Sequence, residues 1–284
     1  NDRVIGGVTV KTHISPIVLQ HKSTLQVDAV EAGEMEGGAD SVVLHITGDS
    51  NTVRTTFGAA PGTAVFIENG INNELRIDIA GAGGHGIRLL NAHLNALRTN
   101  FATAERGIGN CGGDGIRVED GQENQISWGG KDIFACAGAG IRLVGGRKNS
   151  VHAEISACGS GCVASNSVAC GFGGLIEDCT GNGLTLVGGS NHILNGLVVQ
   201  GCQGHGIVLD GCSGNVFATG DPPRAENNGG SGLHLTGGSR YNSITGHYHA
   251  NAAGIVMEGV GTAHNTLRNA MVWAGAENAG NRGP

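Results

Sequence analysis

Three carboxylates recur in step with three isoleucines. Asp132, Glu154 and Glu177 each adjoin one of Ile133, Ile155 and Ile176, and three residues beyond those isoleucines stand Cys136, Cys158 and Cys179. If the isoleucines point inward on short strands, the residues on either side of them face solvent. Asp132 and Glu154 then share one outward column, Glu177 stands in the next, and His152 lies two places before Glu154. Trp128 and Lys131 border the patch. Carboxylates in one column sit ~5 Å apart on adjacent strands and ~10 Å apart two strands away. Those separations bracket the geometries of retaining and inverting glycosidases. Mutual repulsion raises one carboxyl pKa, which suits a general acid. Asp132, Glu154, Glu177 and His152 are therefore candidate catalytic residues, with Trp128 as a candidate substrate contact. The competing reading is a solvated charged face or a subunit contact.

A second set is basic. Arg88, Arg117 and Arg142 each follow a strand-opening glycine by two residues, and Glu119 stands beside Arg117. Stacked arginines suit an acidic sugar or carboxylated polymer. They equally suit a solvated face paired with Glu119 and Asp120. Arg54, Arg76 and Arg98 recur three places after an asparagine and admit the same two readings. His85, His205 and Asp114 each precede an opening glycine, which puts them at a corner. His247 and His249 alternate on one strand face, but no third ligand accompanies them. No metal and no cofactor are expected.

These columns exist only if a unit of about two dozen residues stacks on itself, and the sequence repeats such a unit. An Asn-x-apolar phrase starts at Asn51, Asn73, Asn95, Asn124, Asn149, Asn191, Asn215, Asn242 and Asn265, with Cys170 filling the double gap. From Asn73 on, a glycine and a short apolar strand precede each phrase, as in Gly86-Ile-Arg-Leu and Gly206-Ile-Val-Leu. The stretch 183–215 contains one full period. Short alternating strands of this kind cannot bury their apolar face alone, so each repeat must pack on its neighbours. The turn asparagines suit the left-handed region and can stack their amides. Two places lengthen the period, 99–114 and 219–228, and insertions in a coil leave as loops.

Composition narrows the partners. The net charge is −7 and the Lys and Arg are scattered, which argues against nucleic acid. No apolar run is long enough to span a membrane, and the N-terminus lacks the pattern of a signal peptide. Cys111, Cys136, Cys158, Cys179 and Cys202 recur once per repeat, as an inward stack of small hydrophobes would. Reduced thiols are expected rather than disulfides, in keeping with folding in a reducing cytoplasm. There is no Cys-x-x-Cys pair, which argues against zinc.

The glycine, asparagine and cysteine phrases over residues 40–270 resemble a right-handed parallel β-helix of the pectate-lyase type. The resemblance implies an all-β, single-stranded solenoid of about 10–11 coils, ~50 Å long at sheet spacing. Residues 1–40 read as a cap with imperfect first coils, 41–270 as the β-helix, and 271–284 as a tail or link. The calcium aspartates of pectate lyases, the aspartate signatures of polygalacturonases and the Asp-Pro-His segment of alginate epimerases are not recognisable here. The motif-poor, glycine-rich coil is similar to phage tailspikes and capsular-polysaccharide depolymerases, which are typically homotrimers. That similarity implies a polysaccharide partner and a place in the virion tail or outside the cell. An outward apolar stripe of Val144, Val187, Leu194 and Val208 would serve trimerisation. The alternatives are a non-catalytic rod or adhesin, or another carbohydrate-active enzyme such as a lyase, epimerase or fructotransferase.

Overall fold

In the computed structural model the described residues are 3–12, 15–32, 41–98 and 107–273, with side chains described outside 3–12, 128–132 and 273. Among them there is no helix, and every strand pairing is parallel. The chain winds as a β-solenoid. Each turn gives one strand to an 11-stranded sheet, here sheet B, and strand segments to a 14-stranded sheet, here sheet A. A third side is closed by single bridges running from Ile71 through His93, Gln122, Arg147, Val168, Ser190, Ser213 and Arg240 to Ala263. Stacking starts early: the strand Arg3–Thr12 already pairs with Thr24–Ala32 in sheet A.

The interior is built from like residues on like residues. Ile87, Ile116, Ile141, Cys162, Leu184, Ile207, Leu233 and Ile255 form one continuous inward column of sheet B. Each is buried. All eight cysteines are free and buried, and burial holds the Cys162 thiol above its ordinary pKa. From Cys202 the thiol column passes to amides: the Cys202 N–H donates to Asn228 Oδ1 at 3.0 Å, and Asn228 Nδ2 to Asn251 Oδ1 at 2.9 Å.

The asparagine phrase is a hydrogen-bonded ladder. Asn51 N and Nδ2 both donate to Asn73 Oδ1, at 2.8 and 2.9 Å, and the pattern repeats through Asn95 and Asn124 to Asn149. Each rung satisfies buried donors worth about 1 kcal/mol apiece. The left-handed residue is not the asparagine but the one before it: Leu94, Glu123 and Lys148 have φ of 56°, 57° and 55°.

One rung departs from the expected register. Asn191 has φ 58° and fills the left-handed position, so His192 is the rung. The His192 N–H donates to Asn215 Oδ1 at 2.9 Å, and its Nδ1 accepts the Cys170 N–H at 3.1 Å. A slip of one residue turns a strand over. Leu194 is therefore fully buried and Ile193 is 54% exposed. The apolar stripe loses Leu194 to the core, and Val208 is buried as well.

Candidate functional site

Sheet A positions the acidic patch. Its inward column runs Ile108, Ile133, Ile155, Ile176, Val199, Ala225 and Tyr248, all buried. The residues flanking that column must face outward. Glu154 is half-buried and His152 exposed on the strand Ser150–Ser156. Glu154 is level with Leu175, so Glu177 lies one column along, level with Ser156. The strand Gln125–Phe134 is irregular between Trp128 and Ile133, opposite Glu154. Trp128 and Asp132 fall at that irregularity of the backbone, and their side chains are outside the described residues.

The register gives Glu177 neighbours that the repeat pattern did not reveal. Glu177, Gln200, Glu226 and His249 are level on successive strands. Gln200 Nε2 donates to Glu177 Oε2 at 3.1 Å, and His249 Nε2 lies 2.9 Å from Glu226 Oε1. Glu177 and Glu226, two strands apart, are separated by ~10 Å at sheet spacing, near the upper end of the inverting-glycosidase range. Arg224 and His247 stand level in the column that holds Glu154. Glu226 escaped the sequence reading because it lies within the lengthened stretch 219–228 and because Asn228 replaces the marker cysteine. The usable signal was position: Glu177 precedes Cys179 by two residues, as Glu226 precedes Asn228.

A third column of sheet A is basic. Arg54, Arg76 and Arg98 are level on adjacent strands, and the column continues through Ser127 to His152. Arg76 Nε donates to Glu74 Oε1 at 2.8 Å, whereas Arg98 Nε is buried without a hydrogen-bond partner among the described residues. Beside this column opens a cleft of about 580 Å³ lined by Asp28, Thr56, Asp78, Gly107 and Phe134, among others.

Sheet B carries the other arginine ladder. Arg88, Arg117 and Arg142 are level. Arg88 Nε donates to Glu119 Oε2 at 2.7 Å. Arg117 donates through Nε and Nη2 to Glu119 and through Nη1 to Asp114, at 3.1, 3.0 and 3.3 Å. Arg142 Nε donates to both Asp114 oxygens, at 3.1 and 3.0 Å. The Asp114 carboxylate is only 4% exposed and also accepts the Ala139 N–H at 2.8 Å. Partial burial would raise the Glu119 pKa, but the hydrogen bonds from Arg88 and Arg117 outweigh it and hold the carboxyl below the usual range. His85 Nδ1 accepts the Asp114 N–H at 2.9 Å, so its ring proton sits on Nε2. Burial lowers the His85 pKa. Phe66 lies under Arg88, 5.3 Å from the guanidinium carbon to the ring centroid.

A histidine pair closes the far end of sheet B. His205 Nδ1 accepts the Ser231 N–H at 2.8 Å, which puts the His205 proton on Nε2. That nitrogen is 3.3 Å from His234 Nδ1, and His234 Nε2 is 2.8 Å from Glu258 Oε1. The proton donors therefore run in one direction, towards the carboxylate. Among the described residues no group of three or more His, Cys, Asp or Glu is arranged to hold a metal ion, and no helix is long and apolar enough to cross a membrane.

No protein-family model matches the chain, and no curated protein matches it in sequence. Among solved structures it is similar to a mutant of the periplasmic alginate epimerase AlgG, at 14% identity and a TM-score of 0.64, over 93% of this chain and 73% of that one. It is also similar to the A-module of the Azotobacter vinelandii mannuronan C-5 epimerase AlgE6, at 14% identity and a TM-score of 0.49, over 97% and 89% of the two chains. Tailspike protein 3 of bacteriophage CBA120 matches at 14% identity and a TM-score of 0.49, over 97% of this chain and 54% of that one. The expected fold is the observed one: this chain is an all-β parallel β-helix.

Proposed function

We propose that this chain binds a bacterial surface polysaccharide along the outer face of sheet A and cleaves it there, in the manner of a tailspike depolymerase. The observation that carries the reading is the level row Glu177, Gln200, Glu226 and His249 beside Glu154 and His152. Two carboxylates on one rigid sheet at ~10 Å, with Gln200 between them, can both face a sugar ring and a water laid over the row. One carboxyl, protonated, gives its proton to the glycosidic oxygen as the bond to the anomeric carbon breaks. The other carboxylate takes a proton from the water that attacks that carbon. Asp132 and Glu154, one column along, are further candidates for the proton-handling roles, and Trp128 for a sugar contact. The fold shared with an epimerase whose name states alginate as its substrate supports a polysaccharide partner. A virion or extracellular location and a homotrimer belong to the same reading, and sedimentation tests the trimer.

The test is reducing-end release from a panel of purified capsular and cell-wall polysaccharides. Glu154→Ala, Glu177→Ala and Glu226→Ala should each lower the rate about 100-fold or more while the chain stays folded. Wild-type rates in Glu177→Ala and Glu226→Ala would overturn the site. Binding without any cleavage by the parent chain would favour the non-catalytic rod or adhesin.

A further inference from the structure

We infer that the Arg54–Arg76–Arg98 ladder is a binding track for the carboxylates of an acidic polysaccharide. The inference rests on the polysaccharide reading and narrows it to a class of polymer.

Three arginines level on adjacent strands stand ~4.8 Å apart at the backbone, and like charges that close repel unless a counter-charge is supplied. On sheet B the same arrangement holds its own counter-charges, Asp114 and Glu119. On sheet A the protein supplies Glu74 to Arg76. Among the described residues Arg54 and Arg98 have no hydrogen bond or ion pair, and the Arg98 Nε is buried without a partner. That leaves a buried donor and, within this column, two arginines without a described counter-charge on a regular track. The guanidinium fork matches a carboxylate in two parallel hydrogen bonds. The rung spacing is close to the advance of a sugar chain per ring, so successive carboxylates can meet successive rungs.

The neighbouring column adds orientation. Arg76 and Asp78 lie two residues apart on the strand Glu74–Ala82, and Asp78 lines the cleft with Asp28 and Thr56. A ring seated over that cleft has arginines on one edge and the exposed Asp28 on the other, with Asp78 buried beneath it. Its own carboxylate is drawn to the arginine edge and repelled from the aspartate edge.

The experiment measures binding to polygalacturonate and to dextran, a neutral polymer, by the parent chain and by R54Q/R76Q. Thermal unfolding of the variant checks the fold. The parent should prefer polygalacturonate, with affinity falling as salt rises, and R54Q/R76Q should bind it at least about tenfold more weakly. Undiminished polygalacturonate binding by R54Q/R76Q, or equal binding of dextran by the parent, overturns the inference. If a neutral polysaccharide is cleaved and R54Q/R76Q cleaves it normally, this inference fails and the polysaccharide reading stands. If no polysaccharide binds at all, both fail.

Discussion

Two arginine ladders, one on each sheet, look alike in the sequence and differ in the structure. Each is three residues long and level across adjacent strands. On sheet B the ladder encloses its own anions: Arg117 has every nitrogen engaged, and Asp114 beneath it is almost wholly buried. On sheet A one ion pair, Arg76 with Glu74, serves the described part of the ladder. Periodicity alone therefore does not say whether a row of charge is a brace or a binding surface. What decides is which residues the corners place beside the row. Asp114 comes from a corner, not from the strand that carries Arg117, and so it holds two coils together.

The largest expected effect tests the brace. Asp114→Asn keeps a side-chain oxygen for the Ala139 N–H but removes the charge that Arg117 and Arg142 share. Arg142 is then left without its carboxylate, while Arg117 keeps only Glu119. Stability should fall by about 3 kcal/mol, read from the urea midpoint. A loss under about 1 kcal/mol would mean that solvent already screens the cluster, and the contrast between the ladders would disappear.

Much of this architecture was legible in the sequence because the solenoid repeats its chemistry with its backbone. Asn51 to Asn149 share one job, so one pattern exposed all of them, and the Ile133–Ile155–Ile176 column gave the correct inward face. Legibility failed where the job persisted but the residue type changed. His192 took an asparagine's place next to a real asparagine, and the one-residue error carried Leu194 to the wrong face. Asn228 took a cysteine's place at the end of a lengthened stretch, and so Glu226 went unnoticed. Asp114 was read as a corner residue, but its contacts cross coils, and a single strand's pattern does not contain them.

His192 also sets the acid response against which the ladders must be compared. Burial pushes its pKa down to about 4. An unfolded histidine takes up its proton near 6.5. Stability is then complete above about pH 6.5 and declines as the pH falls towards 4, by about 3 kcal/mol for this group. His85 and His205, also lowered by burial, act in the same direction. Glu119 follows the carboxylate rule: its contribution is present above the ordinary carboxyl pKa and is lost as the pH falls through its lower folded value. His192→Asn restores the rung type found at Asn149 and Asn215. It should flatten most of the change in urea midpoint between pH 7 and pH 4.5. An unchanged slope would assign the acid response to the sheet B corner instead.

The smallest effect is the most discriminating, because the same substitution is made in each ladder. Arg117→Gln leaves Asp114 and Glu119 with fewer donors and one positive charge the less, and should cost about 1 to 2 kcal/mol. Arg54→Gln removes one end of a row short of counter-charge. Repulsion along the row is relieved and no ion pair is lost, so stability should stay within about 0.5 kcal/mol of the parent and can rise slightly. Salt separates the two further. Added salt screens repulsion on the exposed row and should stabilise the parent more than it stabilises Arg54→Gln. The partly buried sheet B pairs are less exposed to that screening. Equal costs at the two positions, with equal salt dependence, would mean that both ladders are solvated faces. The arginine row on sheet A would then have no bearing on what the protein binds.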